Sequence, residues 1–290
     1  MKKKKEICVF IPCYNCERFI EKTINSILNQ TLQDFDIVVV DDGSRDDSYN
    51  IVKRMMEEDP RIILYKNEKN LGLGRTRNLM FDYCKDYKYV ALMDADDLAP
   101  DYRLEMEYNY LEKNGDITCV SGVMQMIDEN DNLGRIIDLG VHKFEEIKFI
   151  LTFKDPIPNG ASMIRMSDLL ANDLRYRNHF FCAQDYMFYC ELVNKCKMVI
   201  LPYILLYYRW HGENISITSL KRKKERDKLL DEVHDFTFSN YDVKLNWFEK
   251  KVFKRGFRDT EETSFLFKIV FHIKLYLFKK RYPMYRGLFK

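Results

Sequence analysis

The chain lacks an apolar N-terminal run. Met1–Lys5 carries four lysines and leads at once into a strand pattern, with no long h-region and no small-residue cleavage site, so no secretory signal is expected. A second closely spaced cysteine pair is also missing. Cys13 and Cys16 form a C-x-x-C, whereas Cys190 and Cys196 are separated by five residues and Cys84, Cys119 and Cys182 stand alone, which leaves zinc without partners. Eight cysteines without a signal argue for reduced thiols in a cytosolic compartment, and the C-x-x-C keeps a redox motif in contention. Strong net charge is absent too, at +2. That total conceals an asymmetry, because residues 221–290 hold 19 Lys and Arg against 10 Asp and Glu while the first 220 hold 28 against 35. The basic, partner-seeking surface is therefore C-terminal. No recognised nucleic-acid module accompanies it, so nucleic acid is not an expected partner.

What is present is globular. With 290 residues, 46% hydrophobic, 14% aromatic and 32% charged, the chain can bury one large core, with or without an appendage, and whole-chain disorder is excluded. Apolar β-branched runs alternate with helical spacing. Ile7 to Ile11, Phe35 to Val40, Ile62 to Tyr65 and Tyr89 to Met93 read as strands. Between them, Cys16 to Gln30, Asp46 to Glu58 and Gly74 to Cys84 read as helices. Four strands separated by three helices imply an α/β fold with a parallel sheet and right-handed crossovers, whose ligands gather beyond the carboxyl ends of the strands.

Every polar motif of this half lies at such an end. Pro12-Cys13-Tyr14-Asn15 follows the first strand, Asp41-Asp42-Gly43-Ser44 the second, Asn70 to Arg75 the third, and Asp94-Ala95-Asp96-Asp97 the fourth. Three carboxylates in four positions could be a solvated loop, but their shared location favours a seat for Mg²⁺ or Mn²⁺ and a diphosphate, since hard oxygen ligands at that density suit such a cation.

In order, the motifs Ile11 to Asn15, Ser26 to Thr31, Val40 to Ser44, Asn70-Leu71-Gly72 and Asp94 to Asp97 resemble those of inverting family 2 glycosyltransferases, over about residues 6–215. The resemblance implies a GT-A fold, a mostly parallel mixed sheet flanked by helices, in a domain of residues 1–219. It also implies transfer of a sugar from a nucleotide diphosphate, UDP favoured, to a glycan or lipid-linked acceptor in cell-surface polysaccharide synthesis. Tyr14 would stack on the base, beside Pro12, and Asp42 would accept a hydrogen bond from uracil. Arg77 would approach the nucleotide, Asp94 and Ala95 the ribose side, and Asp96 would hold the Mg²⁺ or Mn²⁺ ion. Asp185, at the start of a helix and preceded by Gln184 where the family commonly has Glu, would be the catalytic base. Tyr208-Arg209-Trp210-His211 resembles a segment lying over the donor diphosphate, so Arg209 would contact phosphate and His211 ligate the metal. Each has a plainer alternative. Asp42 could cap its turn, Arg77 could pair with a surface carboxylate, Asp185 could complement a helix dipole, and a lone histidine is often structural. A non-catalytic nucleotide-binding or C-x-x-C redox protein is the competing reading.

The fourth strand is followed by Thr118 to Met126 as a strand, Asp128 to Gly134 as a turn, and Pro158 to Arg165 as a small-residue loop and strand flanking the acceptor side. Residues 220–290 form a basic, aromatic helical extension outside the resemblance. Leu220 to Val233 reads as a solvated helix, and Phe265 to Phe278, with lysines inside it, is too short for a clear membrane span. An anionic membrane surface and a second subunit are its candidate partners, docking on its own domain is the plainer alternative, and the chain is expected in the cytoplasm or on the membrane's inner face.

Overall fold

The apolar runs of the first hundred residues form the centre of one eight-stranded sheet in the computed structural model, which describes residues 5–256 and 265–282. The strands are β1 (Ile7–Cys13), β2 (Phe35–Asp41), β3 (Ile62–Lys66), β4 (Tyr89–Leu92), β5 (Cys119–Ile127), β6 (Leu133–Ile137), β7 (Met163–Arg165) and β8 (Met198–Arg209). Their order is β3-β2-β1-β4-β7-β5-β6, with β8 also pairing β5. The first four are mutually parallel, β7 runs antiparallel to β4, and β5 and β8 are parallel to each other. The expected mixed, mostly parallel sheet is thus present.

Helices α1 (Ile20–Leu28), α2 (Ser48–Glu58), α3 (Leu73–Asn78) and α4 (Met80–Tyr83) make the crossovers, and α5 (Arg103–Lys113) follows β4. Because side chains alternate along a strand, β1 sends Cys8 and Phe10 into one core and Ile7, Val9 and Ile11 into another on the opposite face. All of these are buried on both faces, which is why the strand reads as a continuous apolar run. The helix expected over Gly74 to Cys84 is broken. Leu79 N–H turns back to Thr76 O, and Asn78 is drawn off to exchange hydrogen bonds with the Tyr176 backbone at 2.8 and 2.9 Å.

The second half comprises α6 (Phe144–Ile150), α7 (Met166–Ala171), α8 (Gln184–Lys195), α9 (Ile215–Thr218), α10 (Lys223–Asn240), α11 (Trp247–Gly256) and α12 (Phe265–Arg281). The turn expected at Asp128 to Gly134 closes at Asn132, where Asp128 accepts hydrogen bonds from the Asn132 backbone and amide, and β6 then takes up Leu133 and Gly134. The solvated helix expected over Leu220 to Val233 is the first part of α10, which has no buried residue from Lys223 to Glu232 and then, from Val233 on, buries Val233, His234, Thr237 and Phe238. Beyond it, Val252, Phe253, Phe271 and Phe278 close on Phe149 and Phe153 in a third apolar cluster. No helix among the described residues is long and apolar enough to cross a membrane.

Candidate active site

The strand ends converge as the sequence implies. At β1, Asn15 takes a left-handed conformation (φ +52°) that asparagine tolerates, and it is tied to the β2 loop by hydrogen bonds to Ser44 and Arg45. Tyr14 beside it is 39% exposed, a free aromatic face at the rim. Gly43 is required here: its φ is +73°, and a Cβ would lie 2.8 Å from the Lys69 carbonyl carbon. That close approach brings the third strand's loop onto Asp42. The Asp42 carboxylate is buried and accepts hydrogen bonds from Asn67 Nδ2 (2.7 Å), Leu71 N (2.9 Å) and Gly72 N (3.0 Å). Asn67 had no motif to mark it.

Arg77 is 3% exposed and donates to Asp94 Oδ1 at 2.7 Å, above the Tyr176 ring. Burial opposes its charge, but Asp94, Tyr176 and Asp185 outweigh that cost and raise the guanidinium's pKa above its ordinary value. One Arg77 nitrogen, Nη1, is buried without a hydrogen-bond partner.

Asp96 Oδ2 lies 2.9 Å from His211 Nε2, joining two residues 115 positions apart. His211 is held in turn: its backbone N–H donates to Asn214 Oδ1 at 2.6 Å, its Nδ1 lies 3.3 Å from Glu213 N, and its ring leans on Phe19. Arg209, expected at the donor's phosphates, has no exposed surface. Its Nε donates to Asp96 O (2.7 Å), its Nη1 to Asp128 O and Asp131 Oδ1, and its backbone N–H to Asp97 Oδ1 (2.8 Å). It therefore braces the carboxylate loop from beneath, with Nη2 buried and lacking a hydrogen-bond partner. Thr23 Oγ1, within 3.0 Å of the Ala95 and Asp97 carbonyl oxygens, holds the same loop to α1. Burial first, then the charges of Asp96 and Asp94, push the Asp97 carboxyl well above the ordinary range.

Asp185 stands in the first turn of α8, after Ala183 at φ +54°, with one oxygen accepting its neighbour Tyr186 N–H at 2.8 Å. Asp155 is its unforeseen neighbour: burial, and then the charge of Asp185, raise the Asp155 carboxyl. The Pro158 to Arg165 loop is pinned to α8 by Tyr189, whose hydroxyl reaches Asn159 Oδ1 (3.3 Å) and Ser162 Oγ (2.8 Å). The C-x-x-C is poorly suited to redox work. The Cys16 hydrogen bond and then burial push the Cys13 thiol up, and a thiol held protonated is a weak nucleophile.

Residues 8–174 match the family described as glycosyl transferase family 2, more than half of the chain. The chain belongs to glycosyltransferase family 2. Over 253 residues it is 34% identical to an uncharacterized glycosyltransferase of Methanocaldococcus jannaschii, covering 86% of this chain and 82% of that protein. It is 29% identical over 221 residues to the O-antigen biosynthesis glycosyltransferase WbnJ of Escherichia coli, covering 74% and 83% respectively. Among solved structures, TarS 1–349 of S. aureus in complex with UDP-GlcNAc superposes with a TM-score of 0.67 at 19% identity, over 87% of this chain and 71% of that one. The likeness shows the GT-A fold. As a family 2 glycosyltransferase, the protein is an enzyme, and the non-catalytic reading falls.

Proposed function

We propose that this family 2 glycosyltransferase is a metal-dependent, inverting enzyme that moves a sugar from a nucleotide diphosphate, UDP favoured, to a glycan or lipid-linked acceptor in cell-surface polysaccharide synthesis. The observation that carries it is the Asp96–His211 contact at the end of β4, level with Asp42, Tyr14 and the Arg77–Asp94 pair. The donor reading is supported by TarS, solved with UDP-GlcNAc, and the polysaccharide reading by WbnJ, named for O-antigen biosynthesis.

The donor set fits a hard divalent ion. Among the described residues no three His, Cys, Asp or Glu form a complete protein cage, but Mg²⁺ and Mn²⁺ sites often use one or two protein ligands and leave the remainder to substrate phosphates. Asp96 and His211 would hold the ion, which when bound neutralises charge on the departing diphosphate. Tyr14 offers the face for the base. Asp42 has three of about four acceptor directions occupied, leaving one for the N–H of uracil. Asp94 and Ala95 would meet the ribose side, and Pro12, next to last in β1, would lie beside the base. Arg77, paired with Asp94 and close enough to feel Asp185, fixes the nucleotide side relative to the base. Asp185 takes the acceptor's hydroxyl proton through its second oxygen, and Arg209 acts by bracing Asp96 and Asp97.

The test is a thermal shift across UDP, GDP, CDP and their sugars with Mn²⁺. A matching donor at a hundredfold excess over its dissociation constant stabilises the fold by about 2.7 kcal/mol. Asp96→Asn should abolish the Mn²⁺-dependent part of the shift. Asp185→Asn should keep the shift and lose transfer by about 10²- to 10⁴-fold. Silence from every nucleotide, or normal turnover in Asp185→Asn, would overturn the assignment.

A further inference from the structure

We propose that the outer faces of α11 and α12 form a docking surface for an anionic lipid bilayer. The starting point is that α12 is apolar on two sides. Phe271 and Phe278 are buried against Phe149, Phe153, Val252 and Phe253, yet Ile273, Tyr276 and Leu277 are 53%, 52% and 46% exposed. With spacings of three and four residues these three make one outward stripe. A helix that is apolar on opposite sides is ordinarily covered on both.

The neighbouring helix extends the patch. Trp247 is 74% exposed and Phe248 45%, and Lys274 of α12 lies over the Phe248 ring at 5.3 Å. The ion pair between Arg281 and the buried Glu249, at 2.9 Å, locks α12 to α11. Each remaining exposed aromatic of the patch also has a lysine against it, Lys251 over Trp247 (5.1 Å) and Lys280 over Tyr276 (4.7 Å). Among the described residues, Glu249 is paired with Arg281, and Asp231 and Asp235 with Lys254. The face is thus apolar at its centre and cationic at its rim.

Charge selects the occupant. A two-fold contact with a second copy would set this cationic rim against itself, whereas acidic headgroups meet it with opposite charge. Amphipathic rings backed by lysine stems sit at headgroup depth, with the aromatic bodies in the acyl boundary and the ammonium groups in water. As α12 is too short and too charged to span, it would lie in the surface. The proposal goes beyond the transfer reading, since lipid binding requires neither donor nor turnover.

The experiment is sedimentation of the full chain with vesicles of phosphatidylcholine alone or mixed with phosphatidylglycerol. Wild type is expected in the pellet of the mixed vesicles and in the supernatant of the neutral ones. The double variant Ile273→Gln, Leu277→Gln should partition about tenfold more weakly or worse, with melting temperature and elution volume unchanged. Lys251→Glu with Lys280→Glu should lose the preference for anionic lipid, an independent arm if the first variant misfolds. Wild type remaining in the mixed-vesicle supernatant, or variants sedimenting like wild type, would overturn the proposal. So would a wild-type dimer that the glutamine variant converts to monomer, because a second copy would then be the occupant.

Discussion

Asp131 ties together parts of the chain that no local pattern connects. Its Oδ1 accepts from Arg209 Nη1 and its Oδ2 from Lys22 Nζ, both at 2.5 Å, and its backbone sits at φ +69° to do so. Arg209 in turn holds the Asp96 carbonyl and the Asp97 carboxylate, so Asp131 positions the proposed metal ligand from two contacts away. Asp131→Asn leaves a buried guanidinium without its anionic partner and should cost about 1–3 kcal/mol, read by urea unfolding. It should also raise the apparent dissociation constant for Mn²⁺, which a purely structural brace would leave alone; an unchanged Mn²⁺ titration would refute the positioning role. Asp96 and His211 were visible in the sequence because each sits in a recognisable motif. Asp131 was not, since its partner Arg209 lies 78 residues away and the pairing exists only once the β5–β6 turn folds back.

Elements differ in how plainly the sequence displays them. Strands β1 to β4 are legible because a parallel strand covered on both faces must be apolar along its length. The exposed edge strand β6, Leu-Gly-Arg-Ile-Ile, carries no such signal, and its first residues were absorbed into a turn. Helix α5 hides something else. Arg103 and Glu107, spaced like a solvated i, i+4 pair, are both completely buried, with Arg103 Nη2 donating to Leu92 O at 2.8 Å. Burial outweighs Arg103 and pushes Glu107 up to about 7, against an ordinary 4.5. The folded protein therefore holds an extra proton between those values, and stability from this residue declines as pH rises through the window. Arg103→Met should cost about 3–5 kcal/mol at neutral pH and steepen that decline, because Glu107 loses its cation. Adding Glu107→Leu should recover much of the loss and remove the Glu107 share of the slope, leaving that of the raised Asp97 and Asp155 carboxyls. Denaturant unfolding from pH 4.5 to 7 measures both, and a slope unchanged in the double variant would show that another group titrates there.

At the scale of the whole molecule, the question is whether residues 220–290 are an appendage or part of the enzyme's core. A boundary at 219/220 follows where the family resemblance stops, but resemblance tracks shared chemistry and packing need not respect it. Val233 and Tyr241 belong to the same buried cluster as Tyr186, Met187 and Cys190 of α8, and the Tyr241 hydroxyl donates to Cys190 O at 2.8 Å. Thr237 and His234 reach the carbonyls of Thr152 and Phe153, just before Asp155. The extension thus covers the back of the helix that presents Asp185. Each buried apolar side chain removed from that contact is worth about 1.5–3 kcal/mol, so truncation after Ser219 should cost about 5 kcal/mol or more, comparable with the whole stability of a typical domain. Thermal unfolding of the 1–219 chain would then begin far below that of the full protein, and transfer would fall with it as α8 loosens. A truncated chain melting within a degree or two of full length and transferring normally would instead make the extension a separable module, whose surface on α11 and α12 serves attachment alone.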